Sequence, residues 1–285
     1  MTPASNPPAA APLPPPLLTE TVLAELRALL AGTAPGGTVS LDLGRSRQAV
    51  EVDAAGWSGA GQRYPWPARL RPRTVYAWEG GEWMPLARYG QALVKLVPTD
   101  WGPPTFEIDG IKMLATAQLD PLDDARRKVA LVQPRGRRVL ETCGGLGYFS
   151  VAALEAGAAQ VLSHEKSPEV LWLRRYNPWS PRPDDPRLQL READITQAIL
   201  ELPTASVDAL LHDPPRFSIA GELYALAFYR ELARVLRPGG WLFHYTGSPQ
   251  QRSRGRDLPG EVIERLREAG LRGERALDGV RAQRL

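Results

Sequence analysis

Four acidic side chains between positions 141 and 213 of this 285-residue chain close short strand-like runs, and each has a distinct use at the rim of a ligand site. The first opens the stretch Glu141-Thr142-Cys143-Gly144-Gly145-Leu146-Gly147-Tyr148. Glycines there let the backbone turn sharply and approach a ligand with no Cβ in the way, and a following helix aims its free N–H groups into the same space. The plainer reading of the loop is a tight strand-to-helix turn. Glu165 lies 18 residues beyond Gly147, where a carboxylate can accept from both hydroxyls of a ribose. Asp194 could accept from an adenine amino group. Asp213 sits in His212-Asp213-Pro214-Pro215-Arg216-Phe217-Ser218, where the proline pair stiffens the backbone and directs the carboxylate and the side chains after it.

From these residues the chemistry of the last segment stays open between two jobs. Asp213 either orients an N–H or O–H nucleophile or takes its proton, with His212 the nearest partner for proton handling. Arg216 either grips a phosphate or carboxylate or is a solvated, salt-bridging surface residue. His244-Tyr245 closes a further apolar run and could line a substrate pocket. A lone strand-end histidine is more often structural than catalytic, and that reading stands beside the functional one for His164, His212 and His244.

The elements that must position these groups alternate. Strands are predicted at 137–142, 159–165, 188–194, 207–213 and 240–246. Helices lie between them, clearest in GELYALAFYRELARVLR and LPGEVIERLREAGL. That order predicts an α/β fold with a Rossmann-like, doubly wound, mostly parallel sheet, whose ligands bind outside the carboxyl ends of the strands. LRPGG (236–240) reads as a helix end and turn before the fifth strand. Upstream the texture differs: residues 1–17 form a Pro/Ala-rich tail predicted to be disordered, and 18–30 an amphipathic helix capped by Thr19 or Thr21. A β-rich stretch follows to about 112, with Gly80-Gly81 as a hairpin signal. Three parts are expected: the tail (1–17), a small β-rich substrate-selecting domain (18–112), and the α/β domain (113–285).

Composition excludes several classes. A single cysteine, Cys143, rules out an intramolecular disulfide or a cysteine-cluster zinc site, and the three scattered histidines form no metal motif. No apolar run is long enough to span a membrane, and the N-terminus has no signal-peptide pattern, so a cytoplasmic location is expected. A net charge of +3, from 35 basic and 32 acidic residues, permits a nucleic-acid partner without arguing for one. The β-rich stretch holds Trp57, Trp66, Trp78, Trp83 and Trp101 with arginines at 63, 69, 71, 73 and 88. Those residues could bind RNA by stacking and phosphate contact; the conservative reading makes the tryptophans core and the arginines surface. No motif bears on oligomeric state.

Taken in order, ETCGGLG, Glu165, Asp194, DPPR and LRPGG resemble the class I S-adenosylmethionine-dependent methyltransferases. The run from HDPPRFS to FHYTG is most similar to an archaeal-type, spermidine-synthase-like methyltransferase family. The resemblance implies S-adenosylmethionine as cofactor, with Glu141, Cys143, Gly145 and Gly147 at its methionyl end, Glu165 on the ribose and Asp194 on the adenine. Asp213 through Pro214, Pro215, Arg216 and Phe217 would face the transferable methyl. Cys143 replaces the usual first glycine, and Arg216 stands where amine-directed methyltransferases carry an aromatic, which leaves the acceptor open between RNA and a small molecule. Three rivals remain: an aminopropyltransferase acting on a polyamine, a non-catalytic cofactor-binding RNA module, and a nicotinamide-dependent oxidoreductase, the last lacking a third glycine at Ser150.

Overall fold

The computed structural model describes residues 15–32, 36–114, 116–217, 219–247 and 257–285. They form two compact units, divided between Leu86 and Ala87. The boundary expected near 112–120 therefore falls inside the second unit. Most of the expected disordered tail lies outside the described residues. Its last position, Leu17, together with Leu18, is instead a buried two-residue strand paired with Tyr76 and Ala77.

In the first unit the helix Glu20–Ala31 is capped by Thr19, whose hydroxyl accepts from the Val22 amide, and it buries Val22, Leu23 and Leu26. Strands at Gly36–Val39, Gln48–Asp53, Gly56–Gly59 and Gln62–Pro65 form an antiparallel meander. Tyr76–Glu79 and Glu82–Pro85 form the expected hairpin, turning on Gly80 and Gly81 at φ of 60° and 87°. Trp57 is fully buried, stacked on Tyr64 with ring centroids 4.2 Å apart.

The second unit contains seven strands in one sheet: β1 (Arg138–Glu141), β2 (Gln160–Glu165), β3 (Leu188–Glu192), β4 (Val207–His212), β5 (Leu236–Tyr245), β6 (Leu271–Ala276) and β7 (Gly279–Arg284). Their order is β3-β2-β1-β4-β5-β7-β6, parallel except for β7, which runs antiparallel to both neighbours. The helices are α1 (Pro121–Ala130), α2 (Tyr148–Glu155), α3 (Pro168–Tyr176), α4 (Ile195–Glu201), α5 (Leu226–Val235) and α6 (Leu258–Glu268). Strands β1, β2 and β4 are buried apolar runs, as strands covered on both faces must be. β3 is the edge and mostly exposed. Pro121, Pro168 and Pro259 each sit in the first turn of their helices, behind Asp120, Ser167 and Asp257 as N-caps. A small sheet of Ala87–Tyr89, Leu93–Val97, Thr105–Ile108 and Ile111–Lys112 belongs to this unit as well.

Two differences from the expectation have local causes. LRPGG is no helix end and turn: α5 stops at Val235, and 236–240 already belong to β5. Val207 pairs with Leu236 and Ala209 with Trp241, so four residues of β5 bulge opposite Asp208. That carboxylate holds the bulge, accepting from the Arg237 guanidinium at 2.6 Å and the Arg138 amide at 2.8 Å. Second, β6 and β7 read as polar sequence. Their hairpin turns through Leu277 and Asp278, and only Leu271, Gly279, Val280 and Ala282 are buried.

Gly279 fits where β7 meets β5 because it has no side chain: a Cβ there would lie 2.2 Å from the His244 carbonyl oxygen. Gly279→Ala is therefore expected to cost about 1–3 kcal/mol as an overpacking change. A urea midpoint equal to that of the parent would show that β7 is seated differently.

Candidate functional site

The carboxyl ends of β1, β2 and β4 carry the groups singled out above. After β1 the chain turns at Gly145 (φ 49°) and Gly147 (φ 84°); the latter is the left-handed N-cap of α2, whose N-terminus no side chain caps. Cys143 has no positive φ, so a Cβ is tolerated there. Its thiol, half-buried against the apolar core, is held well above its ordinary pKa by burial. Glu165, at the end of β2, accepts from the Gly145 amide at 2.8 Å on one carboxylate oxygen and from the Ser167 amide at 2.9 Å on the other. The strand end and the glycine loop are thereby tied together. Burial pushes the Glu165 carboxyl up while these amides pull it back.

Glu141 is buried beneath the loop and accepts from the Ser150 hydroxyl. Burial raises its pKa, and the nearby Arg174 guanidinium counters that rise. Sequence reasoning missed Arg174. It lies on α3, is only 5% exposed, and attracts both Glu141 and Glu165 while donating to the Ser163 hydroxyl at 3.4 Å. Burial lowers its own pKa, and its Nη2 has no hydrogen-bond partner among the described residues. The guanidinium fills the space left by two of the loop glycines. A Cβ on Gly144 would stand 3.1 Å from Nη1, and one on Gly147 would stand 2.6 Å from Cζ. Only Gly145 would meet nothing closer than the Phe106 ring, at 3.6 Å. The segment after α3 holds the loop from behind: Ser180 donates to the Leu146 carbonyl and the Asn177 amide to the Tyr148 hydroxyl.

Asp194 is exposed and caps α4, with the Thr196 amide and hydroxyl both donating to Oδ1. Neither bond uses Oδ2. Asp213 is half-buried beyond β4, next to a buried Pro214. Burial, reinforced by Asp278, Asp124 and Glu141, outweighs the attraction of Lys128 and pushes its carboxyl up to about 7. Lys128, on α1, is buried and pairs with Asp124 at 2.5 Å and Asp278 at 2.9 Å, its ammonium 4.6 Å from the centre of the Tyr245 ring. Burial holds the Tyr245 phenol up at about 12. Phe217 sits edge-on to Tyr224, whose hydroxyl donates to the Pro215 carbonyl. Arg216 is exposed.

The histidines are not where a proton relay would need them. His212 is fully buried; the Thr142 hydroxyl donates to its Nδ1 at 2.7 Å and its Nε2–H donates to the Leu223 carbonyl at 3.1 Å. The carbonyl can only accept, so Nε2 carries a proton and both ring nitrogens are in use. Burial lowers its pKa to about 4. His244 is equally buried, donating from Nδ1 to the Tyr245 carbonyl and accepting from the Tyr229 hydroxyl, both at 2.7 Å. Its ring lies edge-on to His212 at 4.4 Å. His164 is fully buried with its pKa lowered to about 4. Among the described residues no group of three or more potential ligands could hold a metal, and no helix is long and apolar enough to cross a membrane.

No family model matches the chain. The uncharacterized protein MJ1233 of Methanocaldococcus jannaschii is 42% identical over 198 residues, which cover 69% of this chain and 68% of the archaeal one. Among solved structures, a spermidine synthase in complex with the transition state analogue AdoDATO matches with a TM-score of 0.55 at 18% identity, over 64% of each chain. The match thus spans just under two thirds of that protein's length. The spermidine synthase from Thermotoga maritima matches with a TM-score of 0.52 at 16% identity, over 69% of this chain and 70% of that one. The fold is the Rossmann-like α/β fold of the S-adenosylmethionine-dependent transferases, preceded by β-rich sheets.

Arg174→Met would leave the buried Glu141 and the half-buried Glu165 without the cation that attracts them, a change expected to cost up to about 3 kcal/mol, the lower end for a broken buried pair. The deficit, measured by urea unfolding, should be largest near pH 8 and shrink towards pH 5. Glu141, raised further in the variant, then takes up a proton in the folded state. An unchanged midpoint at pH 8 would refute this role.

Proposed function

The chain belongs to the same protein family as the M. jannaschii protein, and on that premise we propose that it transfers a methyl group from S-adenosylmethionine to an acceptor held beside Asp213. The observation that carries the reading is the junction of Glu165 with the Gly145 amide. It sets a ribose-binding carboxylate against a glycine loop at the carboxyl edge of a parallel sheet. The Gly145 and Ser167 amides, with that of Lys166 beside them, fix the orientation in which the Glu165 carboxylate would receive the ribose hydroxyls. Oδ2 of Asp194 is suited to an adenine amino group, and the loop that turns on Gly145 and Gly147 to the methionyl chain.

S-adenosylmethionine supplies a methyl already activated by its sulfonium. The protein's part is alignment, worth about 7–11 kcal/mol when reacting groups are held in line. Asp213 accepts a hydrogen bond from the acceptor N–H or O–H. As the new N–C or O–C bond forms and the S–C bond breaks, the acceptor's proton passes to this carboxylate, whose raised pKa suits it to hold a proton near neutrality. His212, satisfied on both nitrogens, acts by fixing Thr142 and the loop after it rather than by moving a proton.

One observation favours a second reading, aminopropyl transfer to a polyamine. The buried histidines are neutral and Arg216 is exposed, so neither places positive charge in the acceptor pocket. Asp124, Asp213 and Asp278 instead gather around a single Lys128. Incubation with methyl-labelled S-adenosylmethionine and fractionated cell extract, against decarboxylated cofactor with putrescine, separates the two. Label in the extract supports methyl transfer; an aminopropylated product and no label overturns it. Glu165→Ala should abolish cofactor binding by calorimetry. Asp213→Ala should spare binding and lower turnover about 10²–10⁴-fold. Because Asp213 must be ionised to accept a proton, kcat should rise with pH through about 7, and this acidic limb should vanish in Asp213→Ala. A flat parent profile would remove Asp213 from the proton path.

A further inference from the structure

The first unit carries a groove that the transferase chemistry does not use. One end is a cavity of about 550 Å³ lined by Arg69, Arg71, Tyr76 and Pro85. The adjoining cavity, about 310 Å³, shares Arg69 and Tyr76 and is walled by Trp66, Trp78 and Trp83. From these two walls we propose that the groove binds single-stranded RNA, with bases on the tryptophans and phosphates on the arginines. The proposal is independent of the methyl-transfer reading.

The indoles are built as a platform. All three are half-buried, so each leaves ring surface to solvent. Trp66 donates its ring N–H to the Asp53 carbonyl at 3.0 Å and Trp83 to the Pro65 carbonyl at 3.3 Å. The rings are therefore locked before any ligand arrives, and what they offer is a π-face rather than a donor. Trp83 is braced from below by Trp57 at 5.9 Å and at its edge by Trp78 at 5.2 Å. A rigid aromatic face that makes no polar demand suits unpaired bases, which stack with little regard to sequence. A duplex hides those faces.

The arginines supply the other half. Arg69 and Arg71 are exposed on either side of the buried Leu70, an alternation that puts both guanidinium groups on the solvent side. Neither forms an ion pair among the described residues, whereas Arg63 is committed to Asp53 at 2.6 Å. The Arg71 amide donates to the Tyr76 hydroxyl at 2.9 Å, which fixes the backbone between the two cavities. Among the described residues lining them Glu82 is the one carboxylate, and it lies at the tryptophan end, away from where phosphates would run. In a cell the polymer that keeps bases unpaired over several nucleotides is RNA.

The test uses the full chain and a fluorescein-labelled, unstructured twelve-nucleotide RNA, with anisotropy read across a salt series. Saturable binding that quenches tryptophan emission is expected, with the duplex of the same sequence binding at least tenfold more weakly. Arg69→Ala/Arg71→Ala, at exposed positions, should leave the thermal midpoint unchanged and flatten the slope of log K against log salt by about 1.4, two single-strand phosphate contacts. Trp66→Ala should weaken binding about tenfold with the slope retained. Several outcomes would overturn the assignment: no binding at 50 mM salt, equal affinity for the duplex, or an unaltered slope in the double variant. So would saturable capture of a peptide spanning residues 1–16 in place of RNA.

Discussion

Two carboxylates at neighbouring strand ends, Glu141 and Glu165, share the field of one buried guanidinium, Arg174, and the geometry of the site depends on this arrangement. Burying any one of the three alone would be prohibitive, because a charge in a low-dielectric interior must be paired or neutralised. Together they draw α3, the glycine loop and the ends of β1 and β2 to one point. The loop then needs glycine at 144 and 147 for a reason other than a ligand: the arginine occupies the volume where side chains would stand. Gly145, which the guanidinium does not reach, gives its amide to Glu165.

A second balance of charge shapes the far side of the sheet. Lys128 enters from α1, Asp278 from the turn between β6 and β7, and Asp213 from the end of β4, so the hairpin of β6 and β7 contributes directly to the surroundings of Asp213. Burial, with Asp278 and Asp124 adding to it against the single Lys128, displaces the Asp213 pKa toward neutrality. The histidine layer below, His212 against His244, adds no charge. Each ring is neutral and saturated with hydrogen bonds, which makes the pair a packed, polar support under the strand ends.

The β-rich region divides its aromatic residues between two uses. Trp57 and Tyr64 build the core of the first unit, while Trp66, Trp78 and Trp83 stand half out of it. Burial therefore separates tryptophans that the sequence presents as one cluster. The same holds for the arginines, since Arg63 is consumed by Asp53 and Arg69 and Arg71 are not.

Sequence alone determined the alternating order of the α/β unit, the strand ends on which Glu165 and Asp213 sit, and the loop that turns on Gly145 and Gly147. Those features are local: an apolar run closed by an acid, a glycine where φ must be positive, a proline pair after a carboxylate. It overestimated the histidines, because a strand-end position says nothing about which way a ring is covered. It passed over Arg174, one of two adjacent arginines on a helix that reads as surface, since only the packing of α3 against the loop buries it. The hairpin of β6 and β7 was equally hidden, its polar strands half covered only once they pair beside β5. The bulge at LRPGG had its residues legible and its geometry not, because the Asp208 carboxylate that holds it arrives from another strand. Residue types and spacing declared what chemistry was available; long-range burial decided which of those groups are charged, which are spent on the protein itself, and which are left to meet a ligand.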